Sequence, residues 1–591
     1  MSTSDFNIIF AGGGTAGCLI AGRLASADLS LRILVLEAGP HTRDLDAHIQ
    51  PGRYYSHLAP TSLSLFLLEN VWAVVAASTV VMVYTRAAAS DYDDWETVYG
   101  NLGWGSKDLI PLLKKTETYQ VKPGEPTHGY SGPLRVSYGG GFPNVSQQFL
   151  DVASRYDPAR GVTADLNGLF SCNQYGRWQK WIDAETGKRS DVAHHFIYNQ
   201  SQNQNLEVRT SCHVKRVIFE NMRAVGVEYV NDTADADPTV NIARASRLVV
   251  LSAGAFGTPT ILERSGIGST DILKAHGVQP LVDLPGVGQN YQDHNGVIIP
   301  YLASEEAETI CAFMRGEKAE AERLVAQWKS DGTGMLASNF LDAVIWIGSI
   351  TSYPGDPSNI PARKYFGIGY YSYYPISRGE VHISSGDNAL APSEFESDYL
   401  RDLADLATLR WGYKKSRELA RRFQLYRGEY VPGHPTFTDA SAASCHEEVV
   451  PVDISAQDIA YTKEDDAAIE NFHRNSVQTM WHSLGTCAMK SKSDLGVVDE
   501  RLNVYGVQGL KVAGERYSDI YVQRLTKLES FPQTNRRTPP FLFSESVSSE
   551  PNLCPQLSIT PGNVAANTYS TALVIGEKAA VLIAEELGIT L

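Results

Sequence analysis

Phe6-Asn7-Ile8-Ile9-Phe10-Ala11, then Gly12-Gly13-Gly14-Thr15-Ala16-Gly17, and then Leu31-Arg32-Ile33-Leu34-Val35-Leu36-Glu37 decide the fold. The order reads as a buried strand, a glycine turn, a helix and a second strand ending in an acid. Gly12 permits the tight turn, Gly14 lets backbone approach a pyrophosphate, and Gly17 lets the helix pack on the strand. The helix N-terminus offers free N–H groups and partial positive charge to phosphates. Glu37, twenty residues beyond Gly17, can accept hydrogen bonds from a ribose diol. A lone G-x-G-x-x-G is weak; with strand, helix, second strand and acid in register, the unit predicts a nucleotide cofactor.

The chain of 591 residues exceeds one ordinary core, so two joined domains are expected. It is 43% hydrophobic and 20% charged, as in globular proteins, and its net charge of −16 argues against nucleic acid or an anionic membrane as partner. Seven cysteines lie singly, without a C-x-x-C pair, which suits a reducing compartment rather than a disulfide framework or a zinc site. The first strand starts almost at once, so no signal peptide is expected. The apolar run Val71–Tyr84 is too short for a bilayer, which needs roughly 20 residues. The C-terminal Gly588-Ile589-Thr590-Leu591 is not a standard peroxisomal tripeptide. The expectation is an intracellular protein, cytoplasmic or peroxisomal.

Val214–Phe219 and Ala224–Tyr229 alternate like a hairpin. Arg247–Ser252 is a short apolar strand entering a second glycine turn, Ala253-Gly254-Ala255. Gly509–Ala513 reads as one more strand, and Thr571–Glu586 as a closing helix. The intervening segments carry aromatics, hairpin-like pieces such as Gly379–Ile383 and a helix around Leu400–Arg422.

Ser252-Ala253-Gly254-Ala255-Phe256-Gly257-Thr258-Pro259, running on to Gly268, resembles a signature of the glucose-methanol-choline flavin oxidoreductases, as does Leu284-Pro285-Gly286-Val287-Gly288-Gln289-Asn290-Tyr291-Gln292-Asp293-His294. Tyr84–Asp94 and Lys114–Gln120 narrow the resemblance to the fungal alcohol (methanol) oxidase-like branch. It implies FAD, and an α/β fold: a Rossmann-like FAD-binding domain with a second α+β substrate-binding domain built on an antiparallel sheet. The boundaries that follow are 1–60, 84–95, 205–300 and 475–591 for FAD, and 96–204 and 301–474 for substrate. Residues 61–83 and 514–556 stand apart. The cofactor contacts implied are Gly12, Gly14, Thr15, Ala16, Gly17, Glu37, Ala38, Val214, Ala253, Gly254, Asp293, Ala513, Asn567 and Thr568.

Thr479-Met480-Trp481-His482-Ser483-Leu484-Gly485 resembles the family's catalytic histidine segment, and Pro561–Thr571 the segment with its partner, here Asn567. An alcohol is a poor hydride donor until its O–H proton is leaving, and histidine is the usual base for such a proton. His482 is therefore expected as base and Asn567 as the group that positions the same oxygen. For Asn567 the competing reading is a cap of the last helix; for Trp481, core and pocket wall stand even. No metal site is expected. His194-His195 lacks further ligands at metal spacing and reads as surface or loop, and Glu464-Asp465-Asp466 reads as a helix start.

The expected function is oxidation of a primary, short-chain alcohol to the aldehyde, with O2 reduced to H2O2. The partners are then a small-molecule alcohol and O2, with no nucleic acid and no membrane; a homo-oligomer is compatible with the resemblance. Two alternatives differ: a fungal secondary-metabolite enzyme acting on a larger alcohol, and an impaired family member acting as a binding protein. The impaired reading draws on two departures. Where the family carries a second glycine-rich loop, Val74-Val75-Ala76-Ala77-Ser78-Thr79-Val80 stands, whose branched side chains obstruct backbone approach. Codons for Val71–Thr79 read in another frame can yield Val-Gly-Gly-Gly-Ser-Ser-Val-Asn, which points to a mis-called exon. Gly514–Gln556 interrupts the run to the Asn567 segment where a flavin-contacting Asp is expected, and reads as a disordered loop or retained intron.

Overall fold

The computed structural model describes residues 6–53, 81–170, 173–231, 239–344, 363–514 and 558–591. Apart from Val81–Val83 and Gly514, the two anomalous segments lie outside the described residues.

The opening unit forms as read. β1 (Phe6–Ala11) is almost wholly buried, as suits a parallel strand covered on both faces. The turn leads into α1 (Thr15–Ala27), and the chain returns as β2 (Ile33–Leu36), parallel to β1. β3 (Leu206–Arg209) adds in parallel outside β2. β4 (Cys212–Glu220) and β5 (Arg223–Asn231) form the expected hairpin. Its two-residue turn, Asn221-Met222, has both φ values positive, at 51° and 64°, matching the twist of the flanking strands. β6 (Val240–Leu251) serves two neighbours along its length: Val240–Arg244 pairs antiparallel with β5, and Leu248–Leu251 pairs parallel with β1. α2 (Gly254–Arg264) follows directly.

The second sheet is antiparallel throughout: β7 (Asn295–Ala303) is flanked by β8 (Lys364–Tyr371) and β9 (Tyr426–Glu429), and β10 (Gln478–Thr479) pairs with the start of β7. Helix α3 (Leu403–Ala420) covers it, with the Asp402 side chain accepting from the Ala404 amide at the cap. α4 (Lys463–Ser476) begins where the acid run was expected to start a helix, with a Thr462/Asp465 capping box. β11 (Leu510–Val512) then returns to the first sheet, parallel to β6.

The closing helix α5 (Tyr569–Leu587) packs along α1. A Cβ at Gly576 would lie 3.2 Å from the Ala16 Cα, so glycine sets this approach, and buried Glu577 adds an ion pair to the partly exposed Arg23. The first sheet with α1 and α5 holds the larger apolar core, and the antiparallel sheet with α3 a second. β7 starts at Asn295, immediately after Asp293-His294, so this pair sits where the chain passes from one core to the other.

Candidate active site

Ala11, Leu36, Leu251 and Val512 stand in one row across β1, β2, β6 and β11. The residues that follow them, Gly12, Glu37, Ser252 and Ala513, therefore lie along the carboxyl edge of the parallel strands, where open α/β sheets bind ligands. Gly12 turns with φ +106°, and a Cβ there would fall 2.5 Å from the Ser252 carbonyl oxygen. A Cβ on Gly17 would meet the Gly12 carbonyl oxygen at 2.6 Å, so glycine brings α1 against both strands. Gly14 caps α1, and Thr15 and Ala16 open its first turn.

Glu37 accepts from the Gly13 amide at 2.6 Å and the Gly39 amide at 2.7 Å, across buried Ala38. Beside it lies a narrow, partly open cleft lined by Gly13, Glu37, His41, Tyr198, Val208 and others. The Thr15 hydroxyl, in the first turn of α1, is buried with no hydrogen-bond partner. An orphaned donor at a helix N-terminus, a carboxylate at the end of the second strand and an adjoining cleft fit a dinucleotide.

The other expected contacts are less uniform. Ala253 and Gly254 (φ +74°) form the start of α2, the Ala513 amide donates to Leu251, and Thr568 is the N-cap residue of α5. Val214 is buried on β4 opposite Tyr229. Asp293, by contrast, spends its carboxylate on the protein. Oδ1 accepts the backbone amides of His294 at 2.7 Å and His482 at 3.0 Å. Oδ2 accepts from Tyr399 at 2.9 Å, from Tyr291 at 3.2 Å and from Thr479. Burial pushes this carboxyl up, against the hydrogen bonds that pull it down.

His482 and Asn567 come from segments 85 residues apart and meet, with Asn567 Nδ2 2.7 Å from His482 Nε2. Asn567 Oδ1 accepts from the Thr85 hydroxyl at 2.9 Å, and Thr85 accepts from the Trp178 indole at 3.0 Å. The cap of α5 is Thr568, so the Asn567 side chain is free for His482. On the far side, His482 Nδ1 lies 2.7 Å from His294 Nδ1, and His294 Nε2 donates to the Val564 carbonyl at 3.0 Å. Burial, and then the neighbouring His294, hold His482 well below the usual histidine range; burial takes His294 down to about 4. Both are neutral at physiological pH. Tyr371 and Tyr373 pack against His294.

Trp481 sits in the left-handed region, φ 60°, and is half-buried, with its indole N–H buried and without a partner. It is not among the buried residues of either apolar core. Asp293 was expected as a cofactor contact, not as the acceptor of two amides, and His294 was not singled out; the signal was a charged and a titratable residue together at the end of a motif entering an apolar strand.

The reading of His194-His195 as ordinary surface or loop is corrected. His194 is half-buried in a π-helical turn, Ala193–Ile197, and its Nδ1 lies 2.9 Å from Asp191, whose other neighbour is buried His48 at 3.1 Å. These three form a group with metal-ligand spacing. The same contacts are complete as hydrogen bonds to one carboxylate, with the His194 Nε2 donating to the Arg43 carbonyl at 3.1 Å. The sequence hid the group because His48 lies 143 residues from Asp191.

Family models described as GMC oxidoreductase match residues 6–296 and 375–515. The chain is similar to the alcohol oxidase of Candida boidinii, at 33% identity over 684 residues, covering 99% of this chain and 95% of that one. It is likewise similar to alcohol oxidase 1 of Komagataella phaffii, at 34% over 683 residues with the same coverage. The first alignment is at least 93 positions longer than this chain, so the relatives carry segments without a counterpart here. In fold, it resembles formate oxidase of Aspergillus oryzae (TM-score 0.76, 19% identity, 98% of each chain). An FAD-dependent oxidoreductase of Chaetomium thermophilum is similar too (TM-score 0.75, 23%, 99% of this chain and 100% of that one). Among the described residues, no helix is long and apolar enough to cross a membrane.

Proposed function

The chain belongs to the GMC oxidoreductase family, an FAD-dependent enzyme acting on CH–OH groups, and on that premise we propose that it oxidises a primary, short-chain alcohol to the aldehyde while O2 becomes H2O2. Gly12, Gly14 and Thr15 would hold the diphosphate of FAD, Glu37 its ribose, and the adjoining cleft its adenine end. When bound, FAD supplies the acceptor for two electrons and a hydrogen from the carbinol carbon and returns them to O2.

His482 Nε2 takes the hydroxyl proton as the C–H bond breaks. A neutral histidine is ready for this, because its accepting nitrogen needs no prior deprotonation. The Asn567 amide donates to the same oxygen, holding it at Nε2 and steadying its developing negative charge. Thr85, backed by Trp178, fixes which way that amide faces. Asp293 ties down the backbone under His482 without touching substrate. Trp481, next to His482 in the chain, and Tyr373, packed on His294, would border the alcohol.

The observation that carries the reading is the 2.7 Å contact of the Asn567 amide with His482 Nε2. It is tested by supplying the FAD-loaded protein with alcohols from methanol to benzyl alcohol, following O2 loss and peroxide together. Turnover highest on the shortest primary alcohols supports it. A preference for bulky alcohols would favour the larger-substrate reading, and no turnover on any would favour a binding role. His482→Ala should cost about 10²–10⁴-fold in kcat with FAD retained; undiminished turnover would end the assignment of the base.

A further inference from the structure

We infer that His294 is a positioning residue that fixes the tautomer of His482: it accepts the His482 Nδ1 proton, so that Nε2 carries the lone pair, which takes the Asn567 N–H here and the alcohol proton once the alcohol oxygen receives that N–H instead. This deepens, and rests on, the reading of His482 as base.

The polarity of the polar chain is forced from both ends. A carbonyl only accepts, so His294 Nε2, 3.0 Å from the Val564 oxygen, carries a proton. An indole N–H only donates, so Thr85 receives from Trp178 and passes its own hydroxyl proton to Asn567 Oδ1. That turns the Asn567 amide N–H toward His482 Nε2, which must be the lone pair. Between the two histidines one proton occupies the 2.7 Å contact. Were it on His294, that ring would carry protons on both nitrogens, a buried imidazolium facing His482, the Asn563 side chain and the backbones of Val564 and Tyr373, with no carboxylate among them. Burial opposes that charge and outweighs those hydrogen bonds. The proton is therefore on His482 Nδ1.

Flipping the Asn567 amide does not escape this. Oδ1 facing His482 would require Nε2–H, would leave Nδ1 as the acceptor, and would oblige His294 to donate from both nitrogens, giving the same imidazolium. From Trp178 through Thr85, Asn567, His482 and His294 to Val564, every group donates in one direction. The backbone register is set by one carboxylate, because Asp293 Oδ1 binds the amides of both His294 and His482. The orienting group behind the base is thus a neutral imidazole. It selects the nitrogen that reacts without placing a counter-charge beside it, and the charge on Asp293 is spent one layer further out.

The test uses the full-length, FAD-loaded enzyme. His294→Leu removes the acceptor, whereas His294→Asn keeps an oxygen near the position of Nδ1. Leaving one buried donor unpaired, or turning the base to its unreactive tautomer, should lower kcat about tenfold to a hundredfold with KM changed less than about threefold. His294→Asn should regain most of the loss. Nitrogen-15 NMR of labelled histidines should place the wild-type His482 proton on Nδ1 and move it toward Nε2 in His294→Leu. An Nε2–H His482 in the wild type overturns the inference, even if the leucine variant fails to fold. So does an unchanged kcat in His294→Leu, or a loss that His294→Asn does not repair. His482→Ala separates the layers: if it is inactive while His294→Leu is unaffected, only the role of His294 falls; if it is fully active, the base assignment falls first.

Discussion

Replacing Asp293 tests how the reaction centre is held, because this side chain binds the backbone amide of His482 rather than its ring. Its Oδ1 accepts two backbone amides and its Oδ2 only hydroxyls, from Tyr399, Tyr291, Thr479 and Ser483. Hydroxyls can reverse donor and acceptor, but amides cannot. Asp293→Asn can therefore keep its oxygen on the amides and turn its NH2 to the hydroxyls. It loses charge assistance on two bonds, about 2 kcal/mol in all, partly offset by no longer burying a charge. Asp293→Leu leaves both amides and the Thr479 hydroxyl without this acceptor, while Tyr291, Tyr399 and Ser483 keep bonds among themselves, about 3–5 kcal/mol in all. At about 2 cal/mol/K per residue of unfolding entropy, that is a fall in Tm of about 3 °C if the chain melts as one unit. The larger effect should fall on kcat. With the backbone of His482 and His294 both released, a displacement near 1 Å at the base costs about 10²-fold. Differential scanning fluorimetry and stopped-flow flavin reduction, at matched FAD content, measure both. Asn within about tenfold of wild type and Leu at least about a hundredfold below it is the expected pattern. Leu with wild-type flavin reduction would refute the claim that Asp293 positions His482.

Thr85→Val removes both the acceptor of the Trp178 indole and the donor to Asn567, so kcat/KM should fall about tenfold or more, while Thr85→Ser stays near wild type; equal losses in both would point to shape alone. Burial lowers His48, His294, His434 and His473 to about 4, and His482 falls as well. The unfolded chain protonates these groups first, so the stability they confer is complete above about pH 6.5 and drains as pH falls toward 4. His128, His194 and His382 are shifted upward and oppose this with fewer groups. The Tm should therefore decline from about pH 6.5 downward, before carboxylates titrate, and a flat Tm to about pH 4.5 would contradict it. A chain with the glycine-rich sequence restored at 74–80 should retain more FAD after gel filtration than the chain as written; equal occupancy, read from visible absorbance, would show that the branched residues there do not obstruct the cofactor.

What the sequence could reveal was whatever depended on near neighbours. The Gly12–Gly17 turn, the first helix and the two flanking strands were readable because each glycine serves a contact set within one βαβ unit. The hairpin of β4 and β5 followed from alternation. The place of β3 outside β2, and the double pairing of β6, were not readable, since both depend on strands contributed from elsewhere in the chain. The same division runs through the site. His482 and Asn567 could be singled out because each stands in a motif of its own, yet no motif says that Thr85 and Trp178 turn the amide, or that Asp293 grips two amides at once. A carboxylate next to a histidine reads locally as a polar pair; only when β7 begins at Asn295 and β10 pairs with it at Thr479 does that pair come up under His482. His294 is then the residue whose meaning is most completely tertiary: it has no reach to the alcohol, but the donor order it closes decides which nitrogen of His482 can act.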